Sequence, residues 1–572
     1  MLDAVGLVRG NKDKMLEDFD LNRIEDIAGA REAIKRLLNL VEALAGENRK
    51  LREENQQQRD EINRLKGEQG KPTIKANKKA TVAPKTNYSS ERERHKSKGR
   101  KKADKVSRIK IDREEVVKVD PAQLPRDAEF KGYEAVVVQD IKITTDNVCF
   151  WKEKFYSSGQ QKSYLAELPA GYEGQFGPGI KATTIVLYYA INTSEPKIKE
   201  FFEHVGLAIS EGQISNLLIK RQADFHDEKE ALYIAGLGSS PWQHSDDTSA
   251  RVNGVNEHTH TVCNPLYTVY VTTAKKDRLA VLQAFTNGHP LTFRLNAEAY
   301  TWLEQVNLSA WVRTQLQQLP QDQALTEQAF SALLTEHVPH LGEQHRRAIL
   351  EAAAVAAYHS QQEFPLIDLL ICDDAPQFKR LTGQLALCWV HDGRHYKKLN
   401  PLVAPHRHLL ADFLTRYWDY YDHLLAYPLH PTPTEAERLT QAFETLFSET
   451  TGYDALDDRI AKTKAKKDAL LMVLKHPEIP LHNNPVELEG RRRARKRDVS
   501  FGPRTEDGKK AWDTFMSLAA TAKKLEVSFY QYIHDRVTKT YKIPPLADLI
   551  IQQAQLRQLG ASWNNHEVTP TF

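Results

Sequence analysis

Residues 243–273, QHSDDTSARVNGVNEHTHTVCNPLYTVYVTT, constrain the fold of this chain more than any other stretch. Polar and apolar positions alternate around an Asn-Gly pair, Asn253 and Gly254, which suits a tight hairpin turn, and the alternation continues through LYTVYVTT. The pattern predicts a three-stranded antiparallel meander. Its first strand carries an acidic doublet, Asp246 and Asp247, in a setting where acids are uncommon. A second doublet, Asp373 and Asp374, ends the apolar strand of PLIDLLICDDAPQF, which a short helix and a further strand, LALCWVH, follow. A carboxylate at the end of a buried strand is costly unless something compensates it. Two such acids in one chain point to a shared cation.

A third acid stands in IPLHNNPVELEGRRRARKR. Here the sequence predicts a helix with Asn484 as N-cap, Pro485 at the first position and Glu487 at the third, a capping box that by itself accounts for Glu487. The basic run that follows, Arg491, Arg492, Arg493, Arg495, Lys496 and Arg497, reads as an exposed cationic stripe for a polyanion lying across the acid. Phosphodiester chemistry needs an activated oxygen nucleophile and a stabilised leaving oxygen. Two magnesium ions roughly 3.5–4 Å apart provide both, and hard cations take carboxylate oxygens. Asp246, Asp373 and Glu487 are the expected catalytic residues and metal ligands, with manganese able to substitute. Because they are far apart in sequence, only a sheet between them can bring them together.

The rest of the chain divides by composition. After a leader (1–23), a heptad pattern over 24–70 sets Leu37, Leu44, Leu51 and Leu65 on one register, with Gln58 in the gap, and Val41, Asn48, Asn55 and Ile62 four residues after each. Asn at a positions favours a two-stranded parallel coiled coil, so a homodimer or higher oligomer is expected through this segment. Residues 71–108 are lysine-rich and poor in aliphatics: a basic disordered linker able to neutralise phosphates. Residues 109–180 read as a small β-rich module. Residues 181–232 read as a helical block with helix-turn-helix spacing, whose Gln213, Ser215, Asn216 and Lys220 are the candidate groove-facing, DNA-binding positions. The core is read in two parts, 233–290 and 365–405, separated by a helical insertion (291–364). A second insertion (406–479), the Glu-bearing and C-terminal helices (480–540) and a tail (541–572) complete the chain.

Lys and Arg number 79 against 76 Asp and Glu, so the net charge is only +3 and its clustering matters more than its sum. The four cysteines are scattered without a CxxC pair, so a reducing compartment is expected and zinc is not. No stretch has the run of apolar residues that a membrane span needs, and the start of the chain has no signal-peptide pattern. The expectation is a soluble cytoplasmic protein with no membrane partner.

Taken together, SDDT (245–248), CDDAPQF with CWVHDGRHY downstream, and IPLHNNPVELEGRRRARKR leading into GKKAWDTFMSLAATAKKLEVSFYQYIHD resemble the insertion-sequence 66 family of DDE transposases. The resemblance is most specific from 240 to 540, and the zipper-like N-terminal segment and basic linker extend it. It implies a multidomain α/β protein with an RNase H-like mixed-sheet catalytic core, helical insertions and an N-terminal coiled coil. It also implies metal-dependent cleavage and strand transfer of double-stranded DNA at element ends and targets, with accessory proteins encoded by the same element as further partners, and a place at the bacterial nucleoid when bound. The chain departs from the family pattern at His482, where an Asp is usual. It departs again at Leu488, where an Arg is usual and Glu489 lies just beyond, so the third ligand is Glu487 or Glu489. Asp247, Glu489 and His391 are auxiliary candidates, His391 as a contact to the scissile phosphate. The alternatives are a catalytically silent DNA-binding regulator and a structure-specific nuclease on the same core.

Overall fold

A computed structural model describes residues 26–65, 109–125, 128–172 and 174–565. The leader and the basic linker lie outside the described residues. The chain is mixed α/β, with a five-stranded mixed sheet surrounded by many helices.

Helix α1 (Ile27–Leu65) leaves its heptad positions Leu37, Val41, Leu44, Leu51 and Ile62 exposed. Its opposite face is docked. Asn39 donates to the Gly452 carbonyl at 3.0 Å and to the Asp454 carboxylate at 2.9 Å, and the Glu42 carboxylate accepts from the Leu402 and Val403 amides at 2.5 and 2.9 Å. In heptad terms these residues fall at f and b, across the helix from a and d.

The stretch expected to be a small β-rich module contains one hairpin, β1 (Lys154–Ser157) with β2 (Lys162–Leu165). The residues of YEAVVVQDIKITTD form no strand, and Val136, Val138, Ile141 and Ile143 are exposed. β-branched residues favour a strand only where there is a partner to pair with and a face to pack against, and here neither is present.

Helices α2 (Glu195–His204) and α3 (Glu211–Ile219) are joined by residues 205–210, with Gly206 at φ +83° and the Ser210 hydroxyl capping α3 by accepting from the Gln213 amide at 3.2 Å. The meander follows as β3 (Trp242–Val252), β4 (Val255–Cys263) and β5 (Thr268–Thr273), turning at Asn253 and Gly254, both at positive φ. A tiny hairpin, β6 (Thr292–Phe293) with β7 (Leu325–Thr326), sits within the first helical insertion. Strands β8 (Leu369–Cys372) and β9 (Gln384–Leu387) then complete the sheet in the order β5-β4-β3-β8-β9. Pairing is antiparallel through the meander and parallel from β3 to β8 to β9.

The strand expected over LALCWVH stops at Leu387. Cys388 is the N-cap of α4 (Trp389–Lys397), so His391 stands in the first turn of a helix. The second insertion contains α5 (Ala404–Ala426) and α6 (Asp454–Lys464), and the chain then forms α7 (Asn484–Ser500) and α8 (Glu506–Lys524). Helix α8 covers the free edge of the sheet: Asp513, Ser517 and Thr521, at four-residue spacing, accept hydrogen bonds from the amides of Thr272, Tyr270 and Thr268 at 2.7, 2.9 and 3.1 Å. An edge strand whose N–H groups would otherwise be open to another chain is thereby closed.

Candidate active site at the ends of two parallel strands

The last described pair between β3 and β8 is His244 with Ile371. Two residues beyond that pair stand Asp246, still within β3, and Asp373, just past the end of β8, close enough for the Asp373 charge to act on Asp246. Burial, then the Asp373 charge, then those of Asp247 and Glu487, push the Asp246 carboxyl up to about 7, and its hydrogen bond from the Asp247 amide at 2.8 Å offsets only part of this. Asp246, Thr248, His391, Glu487 and Arg491 line one cleft of about 290 Å³. Asp373 opens onto an adjoining cleft of about 260 Å³ with Asp374, His395 and Lys466, and His391 borders both.

Glu487 does not sit in a capping box. Asn483, not Asn484, is the N-cap, which moves Glu487 past the third helical position, and no side chain caps the helix. The buried Asn483 side chain is used elsewhere. It accepts from His244 Nδ1 at 2.8 Å and donates to the Ser245 carbonyl at 3.0 Å, and its backbone amide donates to Cys388 Sγ at 3.3 Å. One asparagine therefore ties the strand of Asp246 and the start of α4 to the helix that carries Glu487. Burial holds the His244 imidazole down at about 3, so it serves this network as a neutral ring.

The freed Glu487 carboxylate faces α4. Its Oε2 accepts from Arg394 Nη2 at 3.3 Å, and its Oε1 lies 3.6 Å from His391 Nδ1; both of these last atoms are buried with no hydrogen-bond partner. Burial pushes the His391 pKa down. Glu489 is turned away, accepting from the Tyr270 hydroxyl at 2.8 Å and from Arg492 at 3.0 Å. Of the two open candidates, Glu487 is the one facing the cleft. Asp247 accepts from the Gln377 amide at 3.2 Å. Burial would raise the Asp374 carboxyl, but Lys466 at 2.5 Å and Lys379 at 3.2 Å hold it below the usual range.

The basic run is only partly a surface stripe. Arg491 and Arg495 are exposed, and Arg492 and Arg497 are half-buried. Arg493 is 3% exposed, bonded to Asp513 at 2.7 Å and Thr272 at 3.0 Å and lying over Trp512. Lys496 is 0% exposed, its ammonium 3.2 Å from the Tyr188 ring centroid, and burial lowers its pKa to about 6 despite the Glu195 charge. Neither of these two can meet a phosphate backbone. A dense basic run on a helix of 3.6 residues per turn points in every direction, so a helix packed against a sheet must bury part of it. Of the α3 candidates, Asn216 and Lys220 are exposed, Gln213 and Ser215 are half-buried, Ser215 is hydrogen-bonded to Glu195, and none of the four lines the cleft.

Among the described residues, no three His, Cys, Asp or Glu side chains form a ready-made metal cage. Magnesium seldom uses one: it takes one or two carboxylates and completes its shell with waters and substrate phosphates. Clustered acids that raise the Asp246 pKa, and a buried, unpartnered oxygen on Glu487, fit that mode of binding.

A scan against models of known protein families finds no match. The "Uncharacterized protein y4jO" of Sinorhizobium fredii (strain NBRC 101917 / NGR234) is 31% identical over 323 residues, which make up 56% of this chain and 99% of that protein. The chain belongs to that protein's family. The y4jO family has no assigned activity in its name, so the chemistry of the site rests on the residues themselves. Sequence reasoning missed His244, Asn483 and Arg394. Their signals were available: a His two residues before Asp246, paired asparagines before a proline, and an Arg one helical turn after His391.

Proposed function

We propose that the chain is a metal-dependent DNA strand transferase of the DDE transposase type, built on an RNase H-like core. The observation that carries this reading is the closeness of the three acids: the Asp373 and Glu487 charges both act on Asp246, which shares a cleft with Glu487. A sheet of order β5-β4-β3-β8-β9, with three antiparallel strands and two parallel additions, supports the same reading, since Asp246 and Asp373 come from its two neighbouring interior strands, the second just past the strand end.

Asp246, Asp373 and Glu487 would hold two magnesium ions, which when bound activate the attacking oxygen and stabilise the leaving one. Asn483 fixes the spacing of the acids by bonding β3 to the start of α7. Arg394 neutralises Glu487 while no cation is present and lies within reach of the same cleft wall through His391 Nε2 at 3.0 Å. Arg491 and Arg495 bind the backbone of the DNA, a sequence-independent and salt-sensitive contribution. On this reading the exposed seam of α1 pairs two copies of the chain, and α3 and the basic linker add DNA contacts.

The test is to incubate the purified chain with magnesium and linear DNA spanning both flanks of its own gene, and to map nicked and joined strands. Site-specific nicks and joined products that disappear in Asp373→Asn are expected. A wild-type protein that binds this DNA but never cuts it, with magnesium or manganese, overturns the enzymatic reading.

A further inference from the structure

The cleft-lining face of α7 continues beyond the cleft. Glu487, Gly490, Arg491 and Ala494 line it, and the same helical face four turns on from Glu487 arrives at Phe501, the C-cap. Phe501 is 84% exposed and sits in the left-handed region at φ +58°, ψ 8°. That position ordinarily goes to Gly or Asn, because a Cβ there costs roughly 1–2 kcal/mol. Phe501 therefore incurs backbone strain while burying little of its ring against the described residues.

Its mounting is rigid. The Phe501 amide donates to the Arg497 carbonyl at 2.7 Å. Gly502, at φ +90°, comes so close to the β3–β4 hairpin that an added Cβ would lie 2.0 Å from the Arg251 carbonyl oxygen. The Asn253 amide donates to the Pro503 carbonyl at 2.9 Å. The backbone that carries the ring is thus anchored at the hairpin tip, with exposed Arg251 and Arg504 nearby and half-buried Arg497 one turn back. A fixed, solvent-facing aromatic among arginines is complementary to a nucleobase whose phosphates the arginines hold, since every base offers a π-face and stacking tolerates any sequence.

We propose that Phe501 is a base-stacking residue that inserts into or caps an unpaired base step of bound DNA. This inference rests on the DNA-binding reading above. The helix rises about 1.5 Å per residue, so the ring lies roughly 21 Å along α7 from Glu487, which corresponds to about six base steps of 3.4 Å from the reacting phosphate. An aromatic ring at that distance grips frayed or distorted DNA in preference to intact duplex.

The experiment measures binding of the full chain, at low salt, to a short duplex that is either fully paired or frayed by mismatches at one end. Wild type should prefer the frayed duplex by on the order of ten-fold, Phe501→Trp should keep the preference, and Phe501→Gly should lose it while binding paired duplex as before. Glycine is at ease in the left-handed region, so Phe501→Gly should melt no lower than wild type, which removes misfolding as an explanation. A Phe501→Gly protein that keeps the preference overturns the inference, as does a wild type that binds both duplexes equally. A wild type that binds neither overturns the DNA reading as well.

Discussion

Asp246→Asn should stabilise the metal-free protein while abolishing its chemistry. In the unfolded chain this carboxyl titrates near 3.8, and in the fold it is pushed up to about 7 by burial and by the neighbouring acids. Between those values the folded form holds a proton that the unfolded form has released, so stability falls as pH rises and the full penalty is present above pH 7. A gap of about 3 units at 1.36 kcal/mol each is ~4 kcal/mol. Asparagine keeps the shape and carries no charge, so at pH 8 in chelator it should raise the melting temperature by several degrees. Near pH 5 the gap should shrink to about 1–2 kcal/mol, and near pH 4 it should close. Magnesium should raise the melting point of wild type at pH 8 and leave that of Asp246→Asn nearly unmoved, because a cation removes the same repulsion. Calorimetry at the two pH values, with chelator and with magnesium, reads all of this without requiring a DNA substrate. A variant that melts below wild type at pH 8 in chelator, or an equal magnesium response in both proteins, would refute the reasoning.

Glu487→Gln should abolish cutting and joining while the fold persists, and Glu489→Gln should leave turnover largely intact, because the Glu489 carboxylate is bonded to Tyr270 and Arg492; parallel cleavage assays with melting curves decide between them. Lys496→Met should be stabilising by about 2 kcal/mol near neutral pH, because folding must take the proton off a lysine whose pKa falls to about 6, a cost that an apolar side chain does not carry. A lysine held at about 6 in the fold against 10.5 unfolded costs most below pH 6, so the advantage of methionine should fade as pH climbs toward 10, and the salt dependence of DNA binding should not change. Polar replacement of both Leu44 and Leu51 should dissociate a dimer without loosening α1 from the body, since Asn39 and Glu42 hold the other side of that helix; light scattering gives the mass, and an unchanged dimer would rule out pairing through this seam.

The meander and the strand ending at Asp373 could be read directly, because period-2 alternation and an Asn-Gly turn are local signals that the burial of one face enforces. The strand expected beyond Leu387 gives way to a helix at Trp389, whose ring is fully buried against distant segments, a packing that has no local pattern. Of the β-rich reading of 109–180, only the β1–β2 hairpin is found among the described residues, where the other β-prone runs have no partner strand. The helix of the third acid was legible and its first turn was not, because Asn483 gives its side chain to β3 in place of the cap.

What the sequence determined by itself is the inventory: three acids on or next to regular elements, a helix with a heptad seam, and a dense basic run, all encoded by spacings of a few residues. What only the tertiary structure decided is which members of that inventory meet. The β3–β8 pairing brings Asp246 and Asp373 near one another across more than a hundred residues, Asn483 bonds the helix of Glu487 to β3, and packing against the sheet takes Arg493 and Lys496 out of the basic stripe. Each of these outcomes depends on contacts between segments distant in the chain, where hydrogen-bond satisfaction and burial override local preference.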